Sequence, residues 1–126
     1  MPQKNKKKKI LHMDNEPDVL SSVKTILEKE GYEVTSAISG EETLEVVAKE
    51  DFDLLLLDIM MPNLSGWDVF SRVMKRNPDQ KVAFLTALEI SPARKKALKK
   101  LGIAEYFTKP ISVKDFSQRI NTILGN

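Results

Sequence analysis

The chain contains no cysteine. That removes disulfides and thiolate metal sites from consideration and fits a cytoplasmic location. It also has no run of about 18 consecutive apolar residues, so nothing in it reads as a membrane-spanning helix. The N-terminal lysines lead into a short strand-like run rather than the apolar core of a signal peptide. Global disorder is excluded by an apolar content of 41%. A length of 126 residues fits one domain with a core of its own.

The net charge of +2 conceals an asymmetry. Lys4, Lys6, Lys7, Lys8 and Lys9 carry five positive charges, which leaves residues 10–126 at −3. We read residues 1–8 as a basic, flexible tail and 9–126 as the folded domain. A solvated terminus is the plain reading of such a tail, and a polyanion contact the sharper one.

Ile10–Met13 is a short apolar run broken by Asp14-Asn15-Glu16-Pro17, a strand stopped by turn chemistry. Val19, Leu20, Val23, Ile26 and Leu27 then recur at helical spacing up to Gly31. Tyr32–Ala37 predicts a second strand, and Ser39 with Glu42 a capping box that opens a second helix. Phe52–Leu57 is almost wholly apolar, as a strand covered on both faces would be. A loop through Gly66 leads to a third helix closed by Asn77-Pro78. Val82–Leu85, a helix over Pro92–Leu101, a short strand around Tyr106-Phe107 and a helix bearing Val113, Phe116, Ile120 and Ile123 complete the chain. Five strand–helix alternations predict a doubly wound α/β fold, a five-stranded parallel sheet with helices on both faces.

Ligands of such sheets bind beyond the carboxyl ends of the strands, where the strand order reverses. Asp14, Asp58, Thr86 and Lys109 fall at four of those ends. With strand order 2-1-3-4-5, Asp14 and Asp58 sit on adjacent strands roughly 4.8 Å apart. Two such carboxylates repel unless a proton or a cation lies between them. Hard oxygen donors suit magnesium, and Thr86 and Lys109 could each contact a phosphoryl oxygen. The set suits phosphoryl transfer, which needs positioning and charge neutralisation. Singly, each residue has a plainer role: Asp14 as a helix cap, Asp58 as a loop acid, Thr86 as a strand end, Lys109 as a solvated charge.

Asp14-Asn15-Glu16-Pro17, Leu57-Asp58-Ile59-Met60-Met61-Pro62-Asn63-Leu64-Ser65-Gly66, Leu85-Thr86-Ala87 and Tyr106-Phe107-Thr108-Lys109-Pro110 together resemble the receiver-domain signatures of two-component response regulators. The likeness covers roughly residues 9–124 and is closest in kind to chemotaxis regulators, flavodoxin-like in fold. It implies that Asp58 accepts a phosphoryl group from a sensor histidine kinase or a phosphotransfer protein, with Mg2+ held by Asp14, Asn15, Asp58 and the Met60 carbonyl. It implies that Thr86 and Lys109 contact the phosphoryl group, that Thr86 and Tyr106 form the switch, and that Lys109-Pro110 is cis. It further implies a regulatory domain that assists its own phosphorylation and dephosphorylation, not an enzyme turning over free substrate. The output partner is unspecified; a homodimer through the fourth helix, fifth strand and fifth helix fits, and nucleic acid is not the partner expected of the family.

One position departs from the family. Its second acid, typically a metal ligand, is Asn15 here, which brings an oxygen but no charge, and Glu16 does not obviously replace it. Two other classes stay open on these residues. One is an interaction module that no longer takes phosphate, supported by Asn15. The other is a magnesium-dependent phosphohydrolase, which would need a further acid or base near Asp58. His12 reads as a packed strand residue or, on the same face as Asp14, as a metal ligand. Trp67 reads as a partly exposed neighbour of the site. The basic fourth helix, with Arg94, Lys95, Lys96, Lys99 and Lys100, reads as a solvated face or as an output surface for an acidic partner.

Overall fold

In a computed structural model that describes residues 6–126, five strands alternate with five helices. The order is β1 (Lys9–Met13), α1 (Pro17–Lys29), β2 (Glu33–Ala37), α2 (Gly40–Lys49), β3 (Leu54–Leu57), α3 (Gly66–Arg76), β4 (Val82–Thr86), α4 (Pro92–Lys100), β5 (Ile103–Thr108) and α5 (Val113–Ile123). All strand pairs are parallel, in the order β2-β1-β3-β4-β5. Most of the expected tail lies outside the described residues. Lys6–Lys8 are exposed, and the Lys8 carbonyl already accepts the Glu33 N–H at 2.9 Å.

The period-two alternation of the strands divides two cores. Leu11, Leu55, Leu57 and Phe84 face one side with Val69 and Phe70 of α3 and Leu98 of α4. Ile10, Leu54, Leu56 and Leu85 face the other with Val23 and Leu27 of α1 and Phe116 and Ile120 of α5. This double covering explains the unbroken apolar run of β3.

Three local features differ from the sequence reading. Tyr32 lies outside β2 because it completes the end of α1: Gly31 adopts a φ of 95°, and the N–H groups of Gly31 and Tyr32 donate to the Glu28 and Leu27 carbonyls. β5 begins at Ile103, earlier than its mixed polarity suggests. Its charged residue, Glu105, is matched at the sheet edge by Arg119 at 2.7 Å. At α2, Ser39 accepts the Glu42 N–H as expected, but the Glu42 carboxylate accepts from Ile38 N–H. The reciprocal capping box occurs instead between Ser65 and Asp68 at α3.

Candidate functional site

Because the chain leaves β1 toward β2 and returns to β3 on the opposite flank, the ends of β1 and β3 form the switch point of the sheet. Asp14 and Asp58 lie there, side by side and buried. The Asp58 N–H donates to the Met13 carbonyl at 3.1 Å, which fixes the end of one strand against the other.

The same small turn recurs at three strand ends. Asp14 Oδ1 accepts the Glu16 N–H at 2.9 Å, Asp58 Oδ1 accepts the Met60 N–H at 3.0 Å, and Thr86 Oγ1 accepts the Leu88 N–H at 3.3 Å. Each side chain thus folds over its own loop, a habit of Asp and, more weakly, of Thr. Glu16, not Asp14, occupies the N-cap position of α1, and its side chain makes no capping bond. Close approach also shapes the site at Gly66, where a Cβ would lie 2.5 Å from the Asp58 carbonyl oxygen. Only glycine lets α3 start this close to β3.

Lys109 draws the acids together. Its backbone N–H donates to the Thr86 carbonyl at 2.8 Å, and the following bond to Pro110 is cis. Its ammonium donates to Asp58 Oδ2 and Glu16 Oε2, each at 3.0 Å. It also stands 2.7 Å from Asp14 Oδ2, an ion-pair contact not aligned as a hydrogen bond. Burial pulls the Lys109 pKa down, but the three carboxylates outweigh it and the net shift is upward. Burial raises the Asp14 pKa, opposed by Lys109 and the Glu16 N–H.

Oxygens of Asp14, Glu16 and Asp58 all lie within 4.8 Å of one another. When ionised, three carboxylates against one ammonium leave two unbalanced negative charges. Together with the poorly partnered Asp14 Oδ2, this hard-oxygen set fits a divalent cation. Glu16 was left out of the site by sequence reasoning. Its signal was local: the Asp14 turn that captures its N–H, followed by Pro17, folds position 16 back over the site. Asn15 is exposed at the same turn.

His12 and Asp14 do share a face: His12 Nε2 is 3.8 Å from Asp14 Oδ2. The ring is fully buried, and burial, then the Lys109 charge, pushes its pKa down to about 3. It packs below the acids rather than among them, outside the carboxylate cluster.

Leu88 joins Thr86 to Tyr106. Its N–H goes to Thr86 Oγ1, and its carbonyl accepts the hydroxyl of Tyr106, which is buried against Phe84. Trp67, partly exposed, packs on Phe84 at 5.1 Å between ring centroids. Met60 and Leu88 stand exposed on the loops after Asp58 and Thr86, at 57% and 39%. The α4 lysines and Arg94 are largely exposed, while Lys95 lies over the Tyr106 ring at 5.9 Å.

Residues 10–121 match the response regulator receiver domain family. The response regulator SaeR of Staphylococcus aureus is 35% identical over 115 residues, which cover 91% of this chain and 50% of that protein. The chain therefore spans about half the length of the curated relatives it matches. A CheY-like receiver domain protein from Methanospirillum hungatei JF-1 superposes with a TM-score of 0.85 at 32% identity, covering 95% of both chains. The response regulator TrrA of Thermotoga maritima, solved in complex with Mg(2+)-BeF, gives 0.80 at 32% identity over 93% of this chain and 99% of that one. The fold, the acidic switch point and these likenesses agree: the chain belongs to the response regulator receiver domains.

Proposed function

We propose that this domain is a phosphorylation switch in which Asp58 receives a phosphoryl group from a phosphohistidine of a sensor kinase or phosphotransfer protein. The observation that carries the reading is the convergence of Asp14, Glu16 and Asp58 on Lys109 at the switch point of the sheet. An Asp58 carboxylate oxygen forms a bond to phosphorus as the phosphorus–nitrogen bond of the donor breaks, and the electron pair leaves with the imidazole. Lys109 neutralises charge on the transferred oxygens, and Thr86 donates its hydroxyl to one of them. Asp14 and Asp58, with Glu16 or Asn15 and the Met60 carbonyl, would hold Mg2+, which when bound supplies charge neutralisation for the phosphoryl oxygens. The domain is a regulatory phosphoacceptor that promotes its own modification and its reversal. A cytoplasmic location belongs to the same reading.

The relay runs through Leu88. A phosphoryl oxygen that accepts the Thr86 hydroxyl proton draws that side chain toward Asp58, and because Thr86 Oγ1 also accepts the Leu88 N–H, while the Leu88 carbonyl accepts the Tyr106 hydroxyl, the pull is passed along the loop. The ring starts from an inward position, so the expected change is a shift of the β4–α4 loop and of the α4–β5–α5 surface around a Tyr106 that stays buried. Phosphorylation can shift this equilibrium only as far as it binds the two states differently. An output partner, or a second copy of the chain, would read that surface.

An apolar groove of about 650 Å3 lies between α1 and the start of α5, lined by Val19, Ile26, Ile111 and Val113 and bordered by Lys109. It is suited to a helix that delivers a phosphohistidine to Asp58. Labelled acetyl phosphate with Mg2+ tests the reading. Wild type should acquire a hydroxylamine-sensitive acyl phosphate and Asp58→Asn should not; label of equal extent in both would overturn it.

A further inference from the structure

His12 is the one histidine of the chain, and the site as described does not use it. It is wholly buried, and neither ring nitrogen has a hydrogen-bond partner among the described residues. The core on the same side of the sheet is apolar, with Ile10, Leu54, Leu56, Ala83 and Leu85 of the strands and the aromatic rings of Phe107 and Phe116. A polar ring buried without a partner is costly and calls for an explanation.

Its nearest charged neighbour supplies one. His12 Nε2 lies 3.8 Å from Asp14 Oδ2, an oxygen that itself lacks an aligned hydrogen bond. That oxygen depends on Lys109, whose ammonium is shared with Glu16 and Asp58. A phosphoryl group on Asp58 would recruit the ammonium and draw it off Asp14. Asp14 would then be a buried carboxylate with one oxygen on the Glu16 N–H; a bound metal would take a lone pair but donate no hydrogen bond, so the imidazole below is the neighbouring hydrogen-bond donor left to the other oxygen among the described residues.

We propose that His12 is a positioning residue for Asp14: in the state where Lys109 engages a phosphoryl group, the His12 Nε2–H donates to Asp14 Oδ2. A movement of under about 1 Å brings the pair into hydrogen-bond range. The ring then carries its proton on Nε2, and Asp14 keeps its orientation after Lys109 has left. This inference rests on the proposed role of Asp58 and its acidic neighbours.

The test uses the full chain with 15N-labelled histidine, which yields the signals of a single residue. Mg2+ and fluoroberyllate serve as the phosphoryl mimic. The expected result is the Nε2–H tautomer, with the Hε2 proton moving downfield and exchanging more slowly when both are added. Affinity for the mimic, read by calorimetry, should fall about tenfold in His12→Leu, the loss of one hydrogen bond to a charged group. It should be largely restored in His12→Gln, whose amide nitrogen can take the place of Nε2. An Nδ1–H tautomer, or unchanged histidine signals in wild type that binds the mimic, would overturn the inference and leave the Asp58 reading intact. So would equal affinity in wild type and His12→Leu. If His12→Leu does not fold, the histidine spectrum and the His12→Gln affinity decide. Folded wild type that binds no mimic would defeat both readings.

Discussion

Acidifying the metal-free protein to about pH 5 should cost it on the order of 2 kcal/mol of stability through His12. Burial holds this imidazole at a pKa of about 3, against an ordinary value of 6.5. Between those values the unfolded chain binds a proton that the native state refuses. Stability therefore rises with pH across the window: the contribution is complete above 6.5 and is lost as pH falls toward about 3. Each unit below 6.5 costs about 1.4 kcal/mol, and pH 5 lies one and a half units below it. In a domain of this size the loss lowers the midpoint of thermal unfolding by roughly 8 °C. Asp14, raised by burial, acts in the opposite sense, because its native state takes up a proton first. Urea unfolding at about pH 8 and about pH 5 with a chelator, in wild type and His12→Gln, isolates the histidine. Wild type should lose about 2 kcal/mol more than the variant. Equal pH slopes would refute the reasoning.

Other expectations follow from the site. Asn15→Asp adds a negative charge to the turn beside the acids and should tighten Mg2+ binding by about tenfold, read by calorimetry; equal or weaker binding would contradict the role given to this position. Gly66→Ala places a Cβ 2.5 Å from the Asp58 carbonyl. It should cost about 1–3 kcal/mol in urea unfolding and slow modification by acetyl phosphate as β3 is displaced. Met60→Asn with Leu88→Glu puts hydrogen-bonding groups on the two loops flanking Asp58, where a hydrolytic water must be held. The double variant should lose its phosphoryl group faster than wild type, measured as decay of the acyl phosphate.

Much of this was readable from residue order. Alternating apolar runs and amphipathic segments specify the strand–helix repeat, and Asp14, Asp58, Thr86 and Lys109 stand at strand ends because each follows such a run. Features that depend on the third dimension were not readable. Glu16 read as part of the turn after β1, with no obvious claim to replace the missing acid, whereas in the fold the Asp14 turn and the reach of Lys109 place its carboxylate in the cluster. Tyr32 had the composition of a strand residue but was needed to end α1, and its hydroxyl bonds Asn121 and Asn126 near the C-terminus. Periodicity showed that His12 could share a face with Asp14. It could not show that the ring would be left without a partner, which depends on what five strands and two helices bring around it. Tyr106 had an assigned place in the switch by resemblance, while its bond to the Leu88 carbonyl is a property of the folded loop.

The central claim is that Asp58 carries the phosphoryl group, and intact-mass measurement after treatment with acetyl phosphate and Mg2+ tests it most directly. Wild type should gain the mass of a single phosphoryl group, lose it with time, and gain none when the metal is chelated. Asp58→Asn and Asp58→Ala should stay at their starting mass. A phosphoryl adduct of the same extent in either variant, or none in folded wild type, would contradict the account.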